Sequence, residues 1–203
     1  MLRITGGRWR GRRLKTPRGE ALRPLRGRLR EALFSIVSAY VPDARVLDLF
    51  SGTGAVGIEA LSRGAAYAAF VEQNPAHARL IEQNLALAQP VSWRLYRGSV
   101  LSVLPTLPDR GEAPFDLIYI GAPYNQGLTE KTLSILAARP AVMASNALIV
   151  AETHSREELP DRMGGLVLAR RRTYGVTTFW FFRPDAGASE QPDARQGWEP
   201  EGR

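Results

Sequence analysis

The sequence of 203 residues contains no cysteine. That absence excludes disulfides, thiolate metal sites and a cysteine nucleophile, and it fits a reducing compartment. Histidine is nearly as scarce. The two present, His77 and His154, do not pair at metal-ligand spacing, so no metal is expected. No apolar run approaches the roughly 20 residues that a membrane-spanning helix needs. The opening stretch, MLRITGGRWRGRRLK, lacks the apolar region of a secretory signal. A cytoplasmic, monomeric protein without a membrane partner is expected. Lysine is rare as well: only two of the 27 basic residues, Lys15 and Lys131, are not arginine. Arginine suits bidentate phosphate contacts, although a general preference for arginine codons has the same effect on composition.

What the chain does have is an uneven charge. Its first thirty residues hold eleven basic side chains against the single acid Glu20, a net +10. Residues 184–203 sum to −3, and the body between them is neutral, which accounts for the overall +7. A neutral body with one basic arm points to a local polyanion site rather than a generally adhesive surface. The organisation read from this is a basic arm over residues 1–22, one domain over 23–183 and a disordered acidic tail over 184–203. Gly6-Gly7 suggests a hairpin turn within the arm, and Trp9 among arginines suggests a ring that stacks on a base or on a guanidinium. Such an arm is expected to be removable without loss of cofactor binding.

From residue 45 onward the pattern alternates. Apolar strands are read at 46–50, 67–71, 93–96, 116–120 and 147–152, with helices at 54–63, 75–87, 99–104 and 128–137 between them. This alternation implies a parallel sheet covered on both faces. The last two strands, 166–172 and 176–182, meet around Tyr174-Gly175 without a helix, an antiparallel hairpin at the sheet edge. Phe179, Trp180, Phe181 and Phe182 are read as packing residues.

The sharpest local signal is V-L-D-L-F-S-G-T-G-A at 46–55. A strand runs into a glycine-rich turn that opens a helix, and Gly52 and Gly54 permit tight curvature and close ligand approach. No Gly-Lys-Ser/Thr follows, so it is not a phosphate-binding Walker loop. Glu72 closes the next strand 18 residues after Gly54, where a carboxylate is placed to accept both ribose hydroxyls of a nucleotide.

The D-L-F-S-G-T-G run with Glu72 resembles the cofactor motif of Rossmann-like S-adenosylmethionine-dependent methyltransferases. R-I-T-G-G-R-W-R-G-R at 3–12, Arg23-Pro24, R-L-R-E-A-L-F at 28–34 and Y-G-V-T-T-F-W-F-F at 174–182 resemble the RsmD-type enzymes among them. Those modify the exocyclic amine of a guanine in small-subunit ribosomal RNA. The resemblance implies a Rossmann-like α/β fold with a mostly parallel seven-stranded sheet ending in an antiparallel hairpin, and an N-terminal basic β-hairpin arm. It implies S-adenosyl-L-methionine as cofactor, S-adenosyl-L-homocysteine as product, and structured rRNA or the small ribosomal subunit as partner. On that likeness Asp48 and the Phe50, Ser51, Gly52, Thr53, Gly54 turn would surround the methionine moiety. Glu72 would hold the ribose, and Gln73 would lie along the adenine. Ser99, followed by Val100, would meet the adenine amine. Arg3, Arg8, Trp9, Arg10, Arg12, Arg13, Arg23 and Arg28 would contact nucleic acid.

The likeness breaks at the fourth strand. Amino-group methyltransferases carry Asp or Asn, then Pro-Pro-aromatic there. The first side chain accepts a hydrogen bond from the amine, and the aromatic stacks on the flipped base. This chain has Gly121-Ala122-Pro123-Tyr124. The position matches, but the side-chain acceptor is missing. Asp116 lies five residues back, about 16 Å away at ~3.3 Å per residue. Leu25-Arg26-Gly27-Arg28 also departs from the family's Thr-x-Asp-Arg. Gly121 is therefore expected to limit the chemistry, and an acid restored there, with Ala122→Pro, to raise kcat. Two other readings stand beside the rRNA enzyme: an adenine-amine DNA methyltransferase, and a weakened homologue that binds nucleic acid.

Overall fold

The structure is a computed structural model in which residues 2–17, 27–86 and 91–185 are described. Arg23, the Leu25-Arg26 departure and the acidic tail beyond residue 185 lie outside the described residues.

Parallel strands rich in Val, Ile, Leu and Ala need cover on both faces, and the chain supplies it. Strands β1 (Arg45–Leu49), β2 (Tyr67–Glu72), β3 (Ser92–Arg97), β4 (Phe115–Ile120) and β5 (Met143–His154) run parallel. They are followed by the antiparallel β6 (Arg162–Met163), β7 (Leu166–Tyr174) and β8 (Thr177–Pro184). The order across the sheet is β3-β2-β1-β4-β5-β8-β7-β6. The helices are α1 (Gly27–Ile36), α2 (Ala55–Ser62), α3 (Pro75–Ala86), α4 (Val100–Val103) and α5 (Leu128–Ala138). One apolar cluster joins the arm and α1 to α3 to one face, and a second joins α4 and α5 to the other. This is a Rossmann-like, doubly wound α/β fold. Among the described residues the sheet has eight strands rather than seven, because the two-residue β6 adds to the edge before the Gly164-Gly165 turn. Two residues are too short for any alternation to show in sequence.

Helix α2, A-V-G-I-E-A-L-S, is buried along its whole length. It sits tight on β2: a Cβ at Gly57 would lie 2.4 Å from the Phe70 ring. Trp180 and Phe179, Phe181 and Phe182 are buried between the sheet and its helices.

The arm is part of the core. Ile4 N donates to Arg12 O at 3.0 Å, and Leu14 N to Leu2 O at 3.0 Å, closing a hairpin. Leu2, Ile4, Trp9 and Leu14 are all buried. Gly7 takes a φ of 74°, and any Cβ there would lie 1.9 Å from Ser62 O. The expected base-stacking role of Trp9 is corrected by its packing: the residue is 5% exposed, and its backbone N–H donates to Ser62 Oγ at 3.0 Å. The same packing weighs against a removable arm, because its apolar residues belong to the core cluster. Beneath the hairpin, Glu59 accepts from Thr5 N at 2.8 Å, Thr5 Oγ1 at 2.7 Å, Arg30 Nε at 3.1 Å and Arg63 Nε at 2.9 Å. Burial opposes the ionised form of Glu59, but the Thr5 and Arg30 contacts outweigh it and hold the carboxyl below its ordinary range.

The described basic side chains of the arm remain outside. Arg3, Arg8, Arg10, Arg12, Arg13 and Arg28 are exposed, whereas Arg30 is fully buried on Glu59. The arm's far end reaches the glycine-rich turn. Lys15 N donates to Asn84 Oδ1 at 2.7 Å, and the Asn84 amide donates to Thr53 O at 3.0 Å.

Candidate active site

In an open parallel sheet, ligands settle where the strand order reverses, at the carboxyl ends of the strands. Here that point lies between β1 and β4. A cleft of about 480 Å³ opens there. Asp48 ends β1 beneath it, and the turn that follows is forced into shape by its backbone. Phe50, Gly52 and Gly54 all have positive φ, of 60°, 55° and 73°. Ser51 stitches the turn to β2, since its N donates to Val71 O at 3.1 Å and its Oγ accepts from Val71 N at 3.1 Å.

Asp48 and Glu72 face the cleft from the β1–β2 side. Glu72 accepts from Gly52 N at 2.8 Å and Asn74 N at 2.7 Å, so two backbone amides fix its plane. His77 Nδ1 lies 3.8 Å from it. Asp48 accepts from Gly57 N at 2.9 Å and is 1% exposed. Burial pushes the Asp48 carboxyl up to about 8, with the Gly57 N–H opposing and the Glu72 charge adding.

Across the cleft stands the loop after β4. Gly121 N donates to Leu49 O at 3.1 Å, tying the loop to β1. Gly121, Ala122, Pro123 and Tyr124 all line the cleft. Asp116 is far from it, accepting from Arg45 N at 2.8 Å at the other end of β4. Glu152, near the end of β5, faces the same space. The Tyr119 hydroxyl donates to Glu152 Oε2, and the Tyr124 hydroxyl to Glu152 Oε1 at 2.5 Å. Tyr124 Oη also lies 3.1 Å from Thr177 Oγ1, and its ring meets His154 edge-on at 5.9 Å.

The structure thus brings Asp48, Phe50, Ser51, Gly52, Thr53, Glu72, Gln73 and Val100 to one cleft with residues 121–124. Two expected cofactor residues are placed differently. Ser99 is not among the lining residues: it sits at the start of α4, where its carbonyl accepts from Val103 N at 2.9 Å. Gly54 lies behind the turn, where a Cβ would press on Ile81 and Ile58 at 3.2–3.3 Å. Asn74, His77, Tyr119 and Glu152 also line the cleft, beyond the residues that the sequence pattern marks. An acid ending an apolar run, as in A-L-I-V-A-E at 147–152, is the sequence signal that points to Glu152.

The donor set fits a cationic nucleoside cofactor. Glu72 has lone pairs left for hydroxyl donors, and a cationic ligand beside buried Asp48 would favour that group's ionised form. Residues 2–183 match the family described as Conserved hypothetical protein 95. The chain is 33% identical over 192 residues to Ribosomal RNA small subunit methyltransferase D of Escherichia coli, covering 95% of this chain and 94% of that protein. The namesake from Haemophilus influenzae is 31% identical, over 90% of this chain and 93% of its own length. The solved structure of Escherichia coli yhhF superposes with a TM-score of 0.79 at 32% identity, covering 91% of this chain and 98% of that one. A strand–turn–helix cofactor cleft on a fold shared over nearly the whole length places this chain in the Conserved hypothetical protein 95 family, the family of RsmD-type methyltransferases, which use S-adenosylmethionine.

Proposed function

We propose that this protein methylates the exocyclic N2 amine of a guanine in small-subunit ribosomal RNA. The observation that carries the reading is one cleft with Asp48 and Glu72 on one wall and the Gly121–Tyr124 loop on the other. The substrate class is supported by what the relatives are named for and by the exposed arginines of the arm.

S-adenosylmethionine supplies the electrophilic methyl group. Glu72 holds the ribose hydroxyls, Asp48 and the 50–53 turn hold the methionine end, and Gln73 runs along the base. Tyr124 provides an aromatic face to a flipped nucleotide, and its hydroxyl contacts keep the ring oriented. The test is transfer of a labelled methyl group to small ribosomal subunits, naked rRNA and duplex DNA in parallel. Label on the guanine amine of RNA supports the reading. Label on adenine in DNA replaces it with the DNA reading, and no label with retained RNA binding replaces it with the binding-protein reading.

Two outcomes are expected. Glu72→Ala removes the ribose acceptor and frees the Gly52 and Asn74 amides. At ~1.5–3 kcal/mol per charge-assisted bond, affinity for S-adenosylhomocysteine falls at least tenfold by calorimetry. Unchanged affinity refutes the ribose role. Arg10→Gln with Arg13→Gln leaves the hairpin backbone in place. It lowers the slope of log K against log salt by ~0.7–0.9 for each RNA phosphate left without its arginine. An unaltered slope puts the RNA surface elsewhere.

A further inference from the structure

The missing acceptor at position 121 has a physical counterpart one strand away. Ile120 of β4 is in register with Ala151 of β5. One step further along both strands sets Gly121 beside Glu152, at the ~4.8 Å spacing of neighbouring strands. The volume that a side chain at 121 would use is already filled. A Cβ there would lie 2.8 Å from Tyr119 Cε1 and 3.4 Å from Tyr119 Oη. That same hydroxyl donates to Glu152, and the Tyr124 hydroxyl donates to its other oxygen. Glycine at 121 therefore makes room for a phenol that orients a carboxylate facing the cleft.

We propose that Glu152, oriented by Tyr119 and Tyr124, accepts the exocyclic amine of the substrate base in this chain, in place of the side chain that Gly121 lacks. The inference rests on the methyltransferase reading above. A carboxylate has about four lone-pair directions. The two tyrosines use two of them, which leaves acceptor capacity for an amine N–H. Accepting that hydrogen turns the nitrogen lone pair away from Glu152 and toward the methyl carbon. As the N–C bond forms, the C–S bond breaks and its electron pair stays on sulfur as a neutral thioether. The nitrogen then sheds one proton, and Glu152 takes it. Tyr119 is the positioning residue, since it acts through Glu152.

Burial raises the Glu152 carboxyl above the ordinary range, with the two tyrosine hydroxyls opposing, which improves it as a proton acceptor. The groups that touch it are Tyr119 on β4 and Tyr124 on the loop; behind them, Asp48 on β1 acts on Tyr119, and Thr177 on β8 and His154 on its own strand meet Tyr124.

The experiment compares the full-length protein with Glu152→Gln, Glu152→Ala, Tyr119→Phe and Gly121→Asp. The readouts are kcat, KM for RNA, the pH profile of kcat and S-adenosylhomocysteine affinity by calorimetry. Glu152→Gln is expected to lower kcat about 100-fold, by analogy with loss of one preorganised polar group. Cofactor affinity should stay within twofold, and the acid limb of the kcat profile should disappear. Glu152→Ala should do at least as much. Tyr119→Phe should move that limb and lower kcat by less, and Gly121→Asp should lower kcat because it displaces the Tyr119 ring. A Glu152→Gln enzyme within threefold of the parent overturns the proposal. So does loss of cofactor affinity in parallel with kcat, which marks a merely structural carboxylate, or a Gly121→Asp enzyme faster than the parent. A parent protein that methylates none of the three nucleic-acid substrates refutes the function itself, and that failure is visible before any variant is compared.

Discussion

Removal of residues 1–16 is expected to unfold the protein rather than merely weaken its hold on RNA. The deletion strips Leu2, Ile4, Trp9 and Leu14 from one of the two apolar clusters. Burying a large apolar side chain contributes ~1.5–3 kcal/mol, so four contribute roughly 6–12 kcal/mol. A domain's whole stability is only ~5–15 kcal/mol. The deletion also takes away the Thr5 donors to buried Glu59 and the Lys15 partners of buried Asn84. Circular dichroism melts and S-adenosylhomocysteine calorimetry provide the check. A truncated chain that melts cooperatively at the parent's temperature and binds with the parent's affinity contradicts the prediction.

The second large effect concerns pH. Asp48 is held up to about 8 in the folded chain, against an ordinary value of 3.8 once unfolded. Below about 4 the group is protonated in both states and makes no difference. Between the two values the unfolded chain ionises while the folded chain stays protonated, so stability falls as pH rises. Above about 8 the penalty is fully developed and constant. At ~1.36 kcal/mol for each unit of displacement, this comes to roughly 6 kcal/mol. Asp48→Asn keeps an acceptor for the Gly57 N–H and removes the titration. The variant is expected to be more stable than the parent in denaturant melts at pH 8 and little different at pH 4. Parallel stability profiles for the two proteins would show that Asp48 is not the titrating group.

How much of the fold and the site is legible in the sequence depends on how local the determining physics is. The glycine-rich turn is readable because Gly52 and Gly54 meet a backbone requirement that neighbouring residues announce. Glu72 is readable because one crossover sets its distance from the turn. Trp9 misleads because its arginine neighbours dominate the local pattern. What buries it is Ser62 and the underside of α2, more than fifty residues away. Ser99 misleads because α4 starts at that residue, and only the fold shows which way that start faces. The acid at the end of A-L-I-V-A-E marks Glu152 as a strand-end residue, but what makes it Gly121's neighbour is strand register, a relation between positions 31 residues apart. Position 121 shows what is missing, but only the sheet shows what stands beside it.

The contact between position 121 and the Tyr119 ring also bears on the order in which substitutions are tolerated. An acid at 121 collides with Tyr119 unless that ring has first become smaller. A smaller residue at 119 withdraws a donor from Glu152 before any replacement acceptor exists. Each single step is therefore expected to cost function, and only the pair restores it, the sign of strong epistasis between touching residues.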